Sequence, residues 1–105
     1  MSALDSGLAG EIRRVLEFHR WGSAADGVTG GGTVYDSHRP DIRADVHKLQ
    51  DLCRRVASSL GASAPKEVET LMAAGSMYRR SADYVKAREY FLRLLEAVYR
   101  EGRCA

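Results

Sequence analysis

The sequence has little of the chemistry that holds metals or forms covalent intermediates. Its 105 residues include two cysteines and three histidines, and neither a CxxC pair nor an HExxH motif occurs. Cys53 falls in an apolar stripe, where a thiol behaves as a small hydrophobic side chain. His19, His38 and His47 share no helix face, although a zinc site needs four converging ligands. We therefore expect no metal site, no cofactor and no catalytic site.

Long apolar runs are also missing. No stretch approaches the roughly 20 apolar residues needed to cross a bilayer. The opening MSALDSGLAGEIRR lacks the basic patch and apolar run of a signal peptide. Cys53 and Cys104 are far apart in the chain, which is poor material for a disulfide framework. These features favour a cytoplasmic protein that does not contact membranes.

What is present is the composition of a small globular domain. Hydrophobic residues make up 45% of the chain and charged residues 29%, which argues against disorder. A chain of 105 residues is too short for two independent cores. No segment alternates apolar and polar residues in the manner of a strand. The sequence predicts a single all-α domain over residues 1–105, built as a small bundle of about four helices.

Apolar residues spaced by three and four positions mark the first two helices. The first stripe comprises Leu8, Ile12, Val15 and His19, and Trp21-Gly22 supplies a stop. In the second helix, Asp41 can cap the start and Gly61 can adopt the left-handed conformation at the end. Its stripe is the clearest in the chain: Ile42, Val46, Leu49, Cys53, Val56 and Leu60.

Two further helices follow in the second half of the chain. Ser63-Ala64-Pro65 can open the third, because a proline in the first turn costs no hydrogen bond. Its inner face is predicted to contain Val68, Leu71, Met72 and Gly75. The inner face of the fourth is predicted to contain Ala87, Phe91, Leu94, Leu95 and Val98.

A glycine-rich segment joins the first two helices. Glycines occupy positions 22, 27, 30, 31 and 32 between Gly22 and Pro40. The stretch Gly27–Thr33 has the glycines of a phosphate-binding loop, but neither its lysine nor a preceding strand is present. We expect a flexible loop over residues 22–40 rather than a nucleotide site.

The net charge of +2 is unevenly distributed. Residues 1–40 carry four basic and five acidic groups, residues 41–78 carry five of each, and residues 79–105 carry seven basic against four acidic. The positive excess therefore lies in the last quarter of the chain. Such a segment can neutralise phosphates, but a solvated helix face with Arg–Glu pairs has the same composition.

The segment from Gly75 to Leu95 resembles a tetratricopeptide repeat. Gly75, Tyr78, Ala87 and Phe91 meet its spacing of small, aromatic, alanine and aromatic residues, and Asp83-Tyr84 matches its turn. One good repeat is fewer than the three that a stacked solenoid needs. Three positions depart from the pattern: Ala74, Leu94 and Tyr99.

The same residues also resemble a helix-turn-helix of the sigma-factor kind. Tyr78–Ala82 matches the lead-in and start of the first helix, Val85 its end, and Ala87 the residue after the turn. Lys86 departs from the pattern, since glycine is common in that turn. The resemblance implies that Leu92 and Leu95 are buried in a recognition helix. It also implies an outward-facing set: Arg88, Glu89, Tyr90 and Arg93.

The order of features along the chain resembles phage late-gene antiterminators of the Q type. Trp21-Gly22 closes a first helix, a glycine-rich loop reaches Pro40, Asp45–Leu49 follows, and residues 78–95 end the pattern. The zinc-binding cysteines of some such proteins are absent. The resemblance implies a regulator in a bacterial host cell that binds DNA and RNA polymerase. The implied nucleic-acid-binding residues are Arg79, Arg80, Lys86, Arg88, Tyr90 and Arg93.

The repeat interpretation implies a different function, a helical adaptor or chaperone that binds a partner helix. The two interpretations require different geometry. A helix-turn-helix requires Arg88 and Arg93 to be free and to face one way. A repeat requires Tyr78, Ala87 and Phe91 to be buried between two antiparallel helices.

Overall fold

The computed structural model describes residues 4–21 and 40–101, and only the backbone of Trp21, Pro40 and Asp41. These residues form an all-helical bundle without strands, as predicted. Residues 22–39 of the predicted loop lie outside the described residues. The predicted cap at Asp41 is wrong, because the helix already begins at Pro40 and Asp41 lies in its first turn. The four α-helices are α1 (Ser6–Leu16), α2 (Pro40–Leu60), α3 (Lys66–Arg80) and α4 (Tyr84–Arg100).

Consecutive helices run in opposite directions. The Arg55 guanidinium of α2 pairs with Glu11 of α1 at 3.0 Å, and Gln50 donates a 3.1 Å hydrogen bond to Ser76 of α3. A turn at Ser81–Asp83 joins α3 to α4. The C-terminal ends of α1 and α3 therefore share one end of the bundle with the N-terminal ends of α2 and α4. We call this the hairpin end, after the α3–α4 turn.

Helix α4 is the centre of the bundle and packs against α1, α2 and α3. Its apolar face combines with the stripes of the other helices to form one core. Each fully buried Leu, Ile or Phe contributes about 1.5–3 kcal/mol relative to an exposed side chain. The buried residues of α4 are Ala87, Phe91, Leu92, Leu94, Leu95, Ala97 and Val98.

The predicted stripe of α2 is confirmed, because all six of its residues are buried. In α3, Val68 and Gly75 are buried, whereas Leu71 and Met72 are half-buried. In α1, Leu16 is fully buried and Val15 only half-buried, which differs from the predicted stripe. The apolar face of α1 includes positions 8, 12 and 16, so it passes through Leu16 and not through Val15.

The helix ends follow local side-chain chemistry. Asp5 caps α1 by accepting a 2.8 Å hydrogen bond from the Leu8 amide. Gly61 ends α2 at φ +56°, the left-handed conformation predicted for it. After α1 ends at Leu16, the backbone continues as a π-helical segment, Glu17–Trp21. No helix within the described ranges is long and apolar enough to cross a membrane.

The turn expected between Val85 and Ala87 is not there, and the helix-turn-helix register is wrong. Helix α3 continues to Arg80, and Val85 and Lys86 lie in the first turn of α4. Two hydrogen bonds close the end of α3, from the Ala82 amide to Arg79 and from the Asp83 amide to Tyr78. The Asp83 carboxylate then accepts a hydrogen bond from the Lys86 amide and starts α4. This cap places the turn before Tyr84, earlier than the helix-turn-helix motif would place it.

Candidate nucleic-acid interface

Three of the predicted binding residues lie together at the hairpin end. Arg79 and Arg80 are the last two residues of α3, where the negative end of the helix dipole stabilises positive charges. Lys86 lies across the turn, and both Arg80 and Lys86 are exposed. Arg79 is half-buried, with Nη2 3.4 Å from Nδ1 of His47 on α2. We call Arg79, Arg80 and Lys86 the hairpin cations.

Two further predicted residues, Tyr90 and Arg93, lie on the same side of the α3–α4 pair. The rings of Tyr78 and Tyr90 stack with centroids 5.4 Å apart. The Lys86 ammonium lies 5.3 Å from the Tyr78 ring centroid, and the Arg93 guanidinium lies 5.1 Å from that of Tyr90. Exposed cation–π contacts of this kind are worth about 0.5–1 kcal/mol each. The stack therefore restrains Lys86 and Arg93 on the hairpin surface.

Arg88 lies on the opposite flank of α4, and the expectation that it is free and outward-facing is wrong. Its Nη2 is 3.3 Å from His19 Nδ1 and donates to the His19 carbonyl oxygen at 3.4 Å. This occurs because the π-helical segment packs beside α4 at that level. Arg88 is therefore a contact within the bundle and not part of the surface formed by the hairpin cations.

Glu89 was also expected to face outward, but it contacts the π-helical segment instead. Arg20 binds Glu89 at 2.9 Å and Glu96 at 3.1 Å, which attaches the end of the first helical stretch to α4. Arg93 adds a 3.2 Å contact to Glu89. Burial opposes ionisation of Glu89, but Arg20 and Arg93 outweigh it, so the pKa of this carboxyl is lowered.

His19, on the same flank, has a shifted pKa. Its pKa is lowered from 6.5, first by burial and then by the nearby Arg88 cation, against a smaller opposing effect of Asp45. From the sequence, His19 was predicted only as a member of an apolar stripe, and no role was predicted for Arg20. A usable signal was the seven-residue spacing of Glu89 and Glu96, which places two carboxylates on one face of α4.

Helix α2 also contributes basic side chains that the sequence analysis did not select. Arg43 and Lys48 are exposed, and the Arg43 guanidinium lies 5.9 Å from the Tyr84 ring centroid at the start of α4. Their signal was their position off the apolar stripe of α2. The antiparallel packing of α2 and α3 then places them beside the hairpin cations, which sequence spacing alone does not reveal.

The described residues contain no group of three or more His, Cys, Asp or Glu side chains placed to hold a metal ion. Cys53 is fully buried, and its Sγ donates a 3.6 Å hydrogen bond to the Phe91 carbonyl. Burial raises the pKa of this thiol far above its ordinary value, so it stays protonated in the core. Cys104 lies outside the described residues.

Comparison with known proteins finds no matching family model, no matching curated protein and no matching solved structure. The resemblances to antiterminators and to tetratricopeptide repeats therefore rest on the residues quoted for them. The observations that bear on function are the side-chain contacts at the hairpin end and on the two flanks of α4.

Proposed function

We propose that this protein is a transcription regulator of the antiterminator kind, which binds DNA and has RNA polymerase as its protein partner. The observation that supports DNA binding is the presence of the three hairpin cations on either side of the α3–α4 turn. Within the described residues, no carboxylate forms a salt bridge with Arg79, Arg80 or Lys86. Their charges are therefore available to phosphates.

The proposed contact is to the DNA backbone. Each phosphate that a cation neutralises releases counterions, so affinity falls with rising salt, with a slope of about −0.9 per contact. Seven of the 17 residues of α4 are buried against three other helices, and its exposed residues are Val85, Lys86, Arg93 and Arg100. A recognition helix needs a wider open face. Backbone contact at the hairpin end agrees better with this packing.

A charge-neutralising pair tests the proposal. The Arg80→Gln/Lys86→Gln variant removes two exposed cations that hold no core contact. We expect its affinity for duplex DNA to fall on every sequence, and the salt slope to decrease by about one unit for each lost contact. Fluorescence anisotropy between about 50 and 200 mM salt measures both quantities.

The matched control removes the same charge elsewhere. Arg54 and Lys66 are exposed and lie in the half of the bundle away from the hairpin end. Arg54→Gln/Lys66→Gln should bind DNA more strongly than the hairpin variant and keep the wild-type salt slope. Equal weakening by both variants would reduce the effect to net charge and would contradict the proposed site.

The packing of the hairpin supports a second candidate, a helical adaptor that binds a partner protein. Ala87 and Phe91 are fully buried and Tyr78 is half-buried between antiparallel α3 and α4. The Gly75 backbone lies against the Phe91 ring. Two of the three residues that the tetratricopeptide interpretation requires to be buried are therefore buried, and Tyr78 is partly so.

The DNA titration separates the two candidates. The adaptor predicts no DNA binding at low salt, or binding whose salt slope the hairpin variant leaves unchanged. It also predicts that a defined protein partner binds wild type and Arg80→Gln/Lys86→Gln equally well. DNA binding that depends on the hairpin cations would favour the regulator.

A further inference from the structure

The structure points to a phosphate-binding groove between α2 and the α3–α4 hairpin. This inference deepens the proposed function and rests on it, since it extends the DNA-backbone contact from the hairpin cations onto α2. The groove has a volume of about 500 Å³, within the range of small-ligand sites. Its lining comprises Arg43, Ala44, His47, Lys48, Arg79 and Tyr84.

The lining has the chemistry that a phosphate group requires. Among the described side chains, it supplies two guanidinium groups, an ammonium, an imidazole and a phenol, and no carboxylate. A phosphate presents only acceptor oxygens when ionised, and guanidinium groups match those oxygens with paired N–H donors. Three helices contribute, since Arg43 and Lys48 come from α2, Arg79 from α3 and Tyr84 from α4.

Two contacts hold the arginines in place before any ligand binds. Arg43 lies over the Tyr84 ring, and Tyr84 itself packs against the core. Arg79 is held 3.4 Å from His47 Nδ1. Restraining long side chains in advance reduces the rotamer entropy that binding costs. The groove is therefore better ordered for an anion than a set of freely moving surface lysines.

Three described acidic residues near the lining in sequence interact with groups outside it. The Asp83 carboxylate accepts the Lys86 amide, Asp51 pairs with Arg55 at 3.2 Å, and Asp45 acts on His19 on the other flank. Cations thus dominate the groove. Attraction to a phosphate is strengthened where low-dielectric walls focus the field.

The same phosphate group could belong to a DNA phosphodiester or to a free anion, and two titrations distinguish these sources. Wild-type protein is titrated with inorganic phosphate and, separately, with a short DNA duplex, while NMR follows the Arg43 side chain and the Tyr84 ring. We expect both ligands to shift both signals. The Arg43→Gln/Lys48→Gln variant should lose the phosphate-induced shift of Tyr84.

The salt dependence of DNA binding completes the test. Arg43→Gln/Lys48→Gln should lower the slope by about one unit for each lost phosphate contact. A wild-type slope in this variant, beside a reduced slope in Arg80→Gln/Lys86→Gln, would overturn the DNA contact at the groove and leave the proposed function standing. Shifts with inorganic phosphate but not with DNA would assign the groove to a free anion and remove it from the DNA interface.

Two results concern the groove alone. If no DNA binds but inorganic phosphate still shifts Arg43 and Tyr84, the proposed function fails and the phosphate site remains. If neither ligand moves these signals, the phosphate-binding groove is wrong. Circular dichroism of each variant checks that the helical fold is intact, and Arg54→Gln/Lys66→Gln serves again as the charge control.

Discussion

The two flanks of α4 use similar charged residues in opposite ways. On the flank beside the π-helical segment, Arg20 bridges Glu89 and Glu96 while Arg88 contacts His19. On the other side, the hairpin cations and Arg43 lie near tyrosines and a histidine, and no salt bridge joins them to a described carboxylate. The first flank joins parts of the fold, whereas the second presents charge to the solvent.

This difference shows that an arginine's role follows from the partner that the fold brings to it. Arg88 and Arg93 are five residues apart on one helix and were assigned the same function from the sequence. Arg88 meets His19, 69 residues earlier in the chain, whereas Arg93 stays exposed and pairs with Glu89, one turn earlier on its own helix. Stability measurements should therefore respond to one flank and DNA binding to the other.

Loss of the buried ring between α3 and α4 should have the largest effect. Phe91 is fully buried and packs against Gly75 of α3. Phe91→Ala should reduce the free energy of unfolding by about 3–5 kcal/mol, since it removes apolar contact and leaves a cavity. Urea denaturation monitored by circular dichroism measures this loss. A decrease below about 0.5 kcal/mol would show that α3 and α4 are not held by this ring.

Adding one methyl group to the hairpin should have the next largest effect. A Cβ at position 75 would lie 2.6 Å from Phe91 Cε1, so Gly75→Ala should cost about 1–3 kcal/mol through overpacking. The matched control is Gly10→Ala in α1, whose Cβ would meet only Arg14 Nη1 at 3.8 Å. That change should stabilise by about 0.5–1 kcal/mol through helix propensity. Equal effects in urea melts would refute close packing at Gly75.

Acid should weaken the paired flank through His19. Because folding lowers the pKa of His19 below 6.5, the unfolded chain binds the proton more readily. The stabilisation is complete above pH 6.5 and is lost as the pH falls through the lowered pKa. His19→Gln should remove this part of the pH dependence in urea melts between neutral and mildly acidic pH. An unchanged pH profile would show that His19 titrates alike in both states.

The strained turn should respond in the favourable direction. Ala82 adopts φ 64°, a left-handed conformation in which glycine avoids a Cβ clash. Ala82→Gly should raise stability by a net of about 0.5 kcal/mol, because relief of that clash exceeds the added entropy of the unfolded chain. Ser81→Gly, at φ −85°, is the control and should not stabilise. Thermal melts of the two variants give the comparison.

More of the fold than of the candidate site could be predicted from the sequence. The α2 stripe and the left-handed Gly61 depend on local spacing and backbone conformation, and both are confirmed. The hairpin turn lies at Ser81–Asp83, beside the Asp83-Tyr84 turn of the tetratricopeptide interpretation. Only the helix-turn-helix register placed it later, because that register ignores the capping of α4 by Asp83. Arg20 and Arg43 were not selected because their partners lie on other helices, and such pairings depend on tertiary packing.

The smallest stability effect should accompany the clearest functional effect. Arg80 is exposed at the end of α3, so Arg80→Ala should change the free energy of unfolding by no more than about 0.5 kcal/mol. The same substitution should weaken DNA binding on all sequences and lower the salt slope by about one unit, since one phosphate contact is lost. Arg20→Ala is the counterpart on the paired flank. It leaves Glu89 and Glu96 without their shared cation, so it should lower stability more than Arg80→Ala and keep the wild-type salt slope. Urea melts and anisotropy titrations on both variants compare the flanks directly, and a reversed pattern would exchange the roles assigned to them.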